Sequence, residues 1–355
     1  MLKARRCVRE MREYHSPLSS PTIDLRLDMN ESTTGCSPRV LAKLNSMTAK
    51  TLALYPRREP GEKLVADFLG LKSEQVLLTN GADEAIDLLC RAYLEPGDEI
   101  IVVTPAFAMY EVFSQTEEAK VVRVPTGADF SFPTERVVQA ITPRTRVVVI
   151  CNPNNPTGLA VDRASILKVV EAAPDAAILL DEAYFEFYGQ TLMDQIGRIP
   201  NLFIARTFSK AYGLAGLRLG VMTGDKEQIS VLRRMASPFN VNAFAIECLA
   251  EALADREFVN AYIAEVRVGR EWLRKALEQL QFKCWASQAN FVLCRFGDQK
   301  KAILEALRAR GIALRDRTDC QGCVRITVGK SHEMERLIAE LKQVLAGLPA
   351  AQVTR

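Results

Sequence analysis

Leu202-Phe203-Ile204-Ala205-Arg206-Thr207-Phe208-Ser209-Lys210-Ala211-Tyr212-Gly213 is the stretch whose reading decides the fold. Four apolar residues without polar alternation read as a strand covered on both faces, and the polar, glycine-ended segment behind them reads as a turn at its carboxyl end. The pattern recurs. Going back along the chain, Ile178–Leu180 runs into Asp181-Glu182-Ala183-Tyr184, and Val147–Cys151 runs into Asn152-Pro153-Asn154-Asn155-Pro156-Thr157-Gly158. Val121–Val124, Ile100–Thr104 and Val76–Thr79 are similar runs, and Leu219–Thr223 follows on the other side. Helical patterns lie between them, such as Ala85–Tyr93 with Ile86, Leu89, Ala92 and Tyr93 on one stripe. Alternation of this kind predicts an α/β fold, a large domain around a mostly parallel seven-stranded sheet.

Beyond Phe258 the pattern changes to a long helix reaching Leu280, a strand-like Phe291–Cys294, a helix over 300–310 stopped by Gly311, and a strand-like Val324–Val328. Ser331 is the expected N-cap of a last helix with Met334, Leu337, Ile338, Leu341 and Leu345 on its apolar stripe. A smaller α+β domain follows from these elements. The expected division is an N-terminal arm over 1–45 packing on the small domain, a large domain over 46–255 and the small domain over 256–355.

The chain's 355 residues, 48% hydrophobic and 25% charged, fit an ordinary globular protein of about two domains. A net charge of +3 gives no footprint for nucleic acid. No apolar run reaches the ~18 residues of a membrane span, and Glu10 and Glu13 argue against a transit peptide, so a cytoplasmic location is expected. Nine scattered cysteines do not make a secreted disulfide framework, and Cys320-x-x-Cys323 lacks further ligands for a metal. With His15 and His332 the sole histidines, catalysis must rest on other groups.

In open α/β sheets ligands sit beyond the carboxyl ends of the strands. Asn80-Gly81-Ala82-Asp83-Glu84 opens a helix there, and its free N–H groups suit a phosphate. The prolines and glycine of the 152–158 loop can hold an asparagine amide in place. Asp181 directly behind a buried strand is costly unless a cation or hydrogen bonds meet it. Lys210 among apolar and aromatic neighbours is partly desolvated, which frees the amine for imine chemistry, although in isolation a solvated surface lysine is the commoner case. Arg218 is a fixed cation for a phosphate. Together these pieces ask for one cofactor: an acid for a pyridine nitrogen, a lysine for an imine, and a helix N-terminus with Ser209 and Arg218 for a phosphate. Intervals of 26 residues from Asn155 to Asp181 and 29 from Asp181 to Lys210 leave room for one crossover each.

Four segments carry a family resemblance: NPNNPTG at 152–158, DEAYFEF at 181–187, RTFSKAYGLAGLRLG at 206–220 and GCVRITVG at 322–329. They resemble the signature segments of fold-type I aminotransferases, specifically the histidinol-phosphate aminotransferase family, and the similarity extends from Asp28-Met29-Asn30-Glu31 to the last helix. The resemblance implies pyridoxal 5'-phosphate with Lys210 as its Schiff-base lysine, Asp181 on the pyridine nitrogen, and Asn155 and Tyr184 on the ring oxygen. It implies Ala183 and Tyr110 on the two ring faces, and Ala82, Asp83, Thr207, Ser209 and Arg218 around the phosphate. Tyr55 would reach that phosphate from a partner subunit, making a homodimer with shared sites. Arg325 would clamp a substrate carboxylate, with Tyr14, Arg315 and Asn290 along the substrate side. The implied substrates are small molecules, L-histidinol phosphate and the glutamate/2-oxoglutarate pair, in histidine biosynthesis. The segment between Arg315 and Arg325 is short for the family.

ILLDEA at 178–183 resembles a Walker B strand, but a phosphate loop ending at Gly329-Lys330-Ser331 would need glycine where Val324 stands. Gly213 to Gly220 does not give the G-x-G-x-x-G of a dinucleotide fold. A non-catalytic regulator would need an added DNA-binding segment. A threonine-phosphate decarboxylase or a broad aromatic aminotransferase of the same fold stays open on the residues alone.

Overall fold

The computed structural model describes residues 2–11, 13 and 22–348. Its strands in chain order are β1 (Leu25–Leu27), β2 (Val76–Asn80), β3 (Glu99–Thr104), β4 (Lys120–Pro125), β5 (Thr145–Cys151), β6 (Ala177–Asp181), β7 (Leu202–Thr207), β8 (Leu219–Thr223), β9 (Lys283–Cys284), β10 (Phe291–Arg295), β11 (Ile312–Arg317) and β12 (Cys323–Thr327).

Strands β2 to β8 form one seven-stranded sheet in the order β2-β8-β7-β6-β5-β3-β4. All of its pairings are parallel except those of β8, which runs antiparallel to both β2 and β7. The parallel strands are apolar on both faces because helices cover both. Val147 and Val149 of β5 with Leu179 of β6 pack into one core cluster, while Val148, Ile150, Ile178 and Leu180 pack into the opposite one. Each such side chain contributes about 1.5–3 kcal/mol by leaving water. Every one of the seven apolar runs becomes a strand of this sheet. β7 extends two residues past its run, to Thr207, because Arg206 is buried against Glu182 at 2.7 Å rather than solvated.

The second sheet has the order β1-β11-β12-β10-β9. β1 adds to its edge in parallel with β11, Leu25 opposite Ile312, which ties the N-terminal segment to elements nearly 300 residues away. Helices Arg256–Gln279, Lys300–Ala309 and Ser331–Gly347 belong to the same part of the chain, and Leu273, Leu307 and Leu337 from them enter one shared core. Gly311, at φ +81°, turns the chain from the second helix into β11. The last helix starts one residue earlier than its sequence signal indicates. Lys330, not Ser331, is the N-cap, and the Glu333 carboxylate accepts the Lys330 N–H at 2.7 Å.

Strand order reverses between β3 and β5, which are parallel neighbours although β4 lies outside β3. The loops leaving the carboxyl ends of β3, β5, β6 and β7 therefore diverge and leave a crevice.

Candidate active site

A cavity of about 520 Å³ occupies this crevice, walled by those loops, the start of the helix Gly81–Tyr93, and β11 and β12 of the small sheet. Lys210 lies in its wall, with Nζ donating to the Met29 carbonyl at 3.1 Å. Burial, reinforced by the Arg325 charge, lowers its pKa to about 8. An amine in this state is more readily a free base than an exposed lysine is.

Asp181 ends β6 and is 3% exposed. Its carboxylate accepts the Tyr110 hydroxyl at one oxygen and the Ala183 N–H, at 3.0 Å, at the other. Burial still outweighs these bonds and raises its pKa, so its charged form is held at a cost. Its neighbour Glu182 is answered differently: Arg206 and the Thr191 hydroxyl both reach it, and the Arg206 guanidinium lies 3.6 Å over the Phe185 ring. Glu182 is thus a structural carboxylate and Asp181 faces the cavity.

Asn155 and Tyr184 are placed as donors. The Asn155 side-chain oxygen accepts from Arg325 at 2.6 Å, which leaves its amide N–H groups for another acceptor. Tyr184 accepts from the Asn30 amide at 2.9 Å, and burial pushes its phenol up to about 12, so its own proton is retained for donation. Arg325 is fixed further by the Asp28 carbonyl at 2.6 Å. The segment 28–30, to which sequence reasoning gave no role, therefore meets three site side chains: Arg325, Lys210 and Tyr184.

At the other end of the cavity, Ala82 and Asp83 lie in the first turn of the helix after β2. Gly220 makes this turn possible, since a Cβ there would sit 2.4 Å from the Gly81 carbonyl carbon. Arg218, at φ +53°, projects from the same place and pairs with Asp83 at 2.9 Å, both half-exposed. The Thr207 hydroxyl is 3.0 Å from that of Ser209 and accepts the Ser209 N–H. This end carries helix N–H groups, two hydroxyls and a guanidinium, an anion-binding set.

Arg315 on β11 stands opposite Arg325 on β12, and both line the cavity. Sequence reasoning missed Arg317, which lies two residues on and in the same wall. It binds Asp319 at 2.9 Å through Nε and the Ala106 carbonyl at 3.1 Å. The period-2 spacing from Arg315 was the available signal. Ala183 and Tyr110 line the cavity as well, the Tyr110 ring edge-on to Phe107. Asn290 does not reach the wall; it is wholly buried one layer behind, donating to the Asn30 carbonyl at 3.1 Å. Tyr55 lies outside this chain's cavity, 77% exposed and stacked on Phe239 at 4.3 Å. Tyr14 falls outside the described residues.

A buried carboxylate held at a cost, a half-buried amine with a depressed pKa and an anion cradle in one cavity fit pyridoxal phosphate. Comparison with known proteins agrees. The family model for aminotransferase class I and II matches residues 22–341. The chain belongs to this family. It is a pyridoxal-phosphate-dependent transaminase. The histidinol-phosphate aminotransferase of Dehalococcoides mccartyi is 33% identical over 326 residues, 90% of each chain. Among solved structures, histidinol-phosphate aminotransferase from Sinorhizobium meliloti in complex with pyridoxal-5'-phosphate superposes with TM-score 0.90 at 22% identity, over 98% of this chain and 99% of that one. L-threonine-O-3-phosphate decarboxylase from Porphyromonas gingivalis shares the fold, with TM-score 0.79, 24% identity and 91% and 99% coverage.

Proposed function

We propose that this transaminase moves an amino group between L-histidinol phosphate and 2-oxoglutarate, as a homodimer serving histidine biosynthesis in the cytoplasm. The observation that carries the reading is the opposed pair Arg315 and Arg325 in the cavity wall, joined by 33% identity to a histidinol-phosphate aminotransferase over 90% of each chain. Two guanidinium groups at one end suit substrates with anionic ends, each able to make a bidentate contact.

Pyridoxal phosphate, when bound, supplies a carbonyl for the substrate amine and a ring that withdraws electrons. Ala82, Asp83, Thr207, Ser209 and Arg218 would hold its phosphate, with Tyr55 of a second copy joining them. Asp181 would hold a proton on the ring nitrogen, Asn155 and Tyr184 would donate to the ring oxygen, and Ala183 and Tyr110 would stand against the ring. Lys210 Nζ would take the proton from the substrate Cα, and the free amine's pKa of about 8 suits base work near neutrality. Arg325 orients a substrate carboxylate and Arg315 the phosphate, with Asn290 supporting the segment 28–30 beside them. Tyr14 is assigned to the substrate side on family resemblance alone. We further assign residues 46–255 and 256–355 to large and small domains, with 1–45 as an arm, a division supported by the two sheets.

The deciding experiment incubates the protein, pyridoxal phosphate and 2-oxoglutarate separately with histidinol phosphate, threonine phosphate and phenylalanine, and measures glutamate and carbon dioxide. Glutamate release with histidinol phosphate supports the reading. Carbon dioxide from threonine phosphate without glutamate makes the protein a decarboxylase, and glutamate from phenylalanine alone makes it an aromatic aminotransferase.

A further inference from the structure

The small sheet carries two thiols that the active site does not use. Cys284 on the two-residue edge strand β9 stands directly opposite Cys294 on β10, and their Sγ atoms are 3.2 Å apart. Directly opposed residues of an antiparallel pair have Cα atoms about 4.5–5.5 Å apart, inside the roughly 4.4–6.8 Å that a disulfide spans. The bond can therefore close by side-chain rotation with little movement of the backbone. Cys323 is not a competing partner: it packs with Leu293 and Cys320, whereas Cys294 packs into the main core cluster with Cys284 against it.

The two thiols differ in access. Cys294 is buried, which raises its thiol well above the usual range, while Cys284 is half-buried. An oxidant meets Cys284 first, and Cys294 is held against it as the resolving group.

We propose that Cys284 and Cys294 form an oxidation site in which a hydroperoxide closes a disulfide between β9 and β10. The Cys284 sulfur attacks the peroxide, the O–O bond breaks, and a sulfenic acid forms as water or an alcohol leaves. The Cys294 sulfur then attacks the Cys284 sulfur. The S–S bond forms, the S–O bond breaks, and the Cys294 thiol proton departs with the hydroxyl as water. In sum the two thiols lose two electrons and two protons and the peroxide takes them. The bond would staple β9, which pairs with β10 through just Cys284 and Lys283.

The test treats the holoenzyme with hydrogen peroxide, alkylates the remaining thiols and maps peptides by mass spectrometry. A Cys284–Cys294 cross-link that dithiothreitol reverses is expected, with a melting midpoint a few degrees above that of the reduced protein. In Cys294→Ser the same dose should leave Cys284 as a sulfenic acid that dimedone captures, and Cys284→Ser should show neither product. Trp285 adjoins the pair and its ring packs 4.8 Å from Phe130, so a change of tryptophan emission on oxidation that Cys284→Ser abolishes gives a second readout. Both thiols still free at doses that oxidise other cysteines, or a disulfide from Cys284 to a different cysteine, would overturn the proposal.

Discussion

Arg315 and Arg325 stand directly opposite each other on antiparallel β11 and β12, two like charges facing one cavity. Such a pair costs roughly 0.2–1 kcal/mol in a sheet with nothing between the charges, and an anionic ligand reverses the sign. If Arg315 reads the substrate phosphate, Arg315→Ala should weaken transition-state binding of histidinol phosphate by about 2–5 kcal/mol. Reaction with unphosphorylated histidinol should suffer much less. Single-turnover rates on the two amines decide it; parallel losses would remove Arg315 from that role.

Lys210 gives a prediction independent of turnover. Its folded pKa of about 8 lies below the 10.5 of an unperturbed lysine, so between those values the unfolded chain binds more protons. Stability of the cofactor-free protein therefore rises with pH through that window, and below it the full penalty, about 3 kcal/mol, is present. Lys210→Met should abolish steady turnover, stabilise the cofactor-free protein at pH 7 and lose the rise between about pH 8 and 10.5. Urea unfolding of both proteins at several pH values measures the difference, and equal slopes would mean that Lys210 is well solvated.

Asp181 is costly where it stands, since burial raises its pKa despite the Tyr110 and Ala183 hydrogen bonds. A cationic ring nitrogen would compensate it. Asp181→Asn keeps the shape and removes the charge, so turnover should fall by orders of magnitude while the cofactor-free protein folds at least as stably. Equal rates in the two forms would make Asp181 a structural carboxylate like Glu182.

How far the sequence reached follows from the range of the interactions. Strands β2 to β8 were legible because burial on both faces writes uninterrupted Val, Ile and Leu runs, a local signal. β1 and β9 were not, being three and two residues long and stabilised by distant partners. Lys210, Asp181 and Asn155 were legible because each follows a buried strand, where a polar group needs a reason. The Met29 and Asp28 carbonyls that meet Lys210 and Arg325 were hidden, because every residue has a carbonyl and its aim depends on the fold. The exposure of Tyr55 was not legible in composition, since Leu54-Tyr55-Pro56 is mostly apolar; only the family resemblance directed it away from its own chain.

Gly220 tests the anion cradle through its backbone. Alanine there would bring Cβ to 2.4 Å from the Gly81 carbonyl carbon and 2.7 Å from the Ala82 nitrogen, neither of which can yield as a flexible side chain can. Gly220→Ala should cost about 1–3 kcal/mol of stability and displace the first turn of the helix. Pyridoxal phosphate affinity, read by absorbance titration, should drop with it. Unchanged affinity in a folded variant would place the phosphate elsewhere.

The last prediction concerns Tyr55. It is exposed and stacked on Phe239, with Leu52, Leu54 and Phe239 also exposed around it, an apolar surface that a second copy of the chain would cover. If Tyr55 serves the other subunit's site, Lys210→Ala and Tyr55→Ala subunits are defective for complementary reasons. In a hybrid dimer, the site built on the intact Lys210 receives its Tyr55 from the Lys210→Ala chain and is wild type at both positions. The other site lacks both. Mixing the two inactive proteins under conditions that exchange subunits should therefore restore activity, provided that Tyr55→Ala alone is severely impaired. Sedimentation at working concentration should show a dimer. A monomer, or a demonstrated hybrid without recovered activity, would mean that each chain completes its own site.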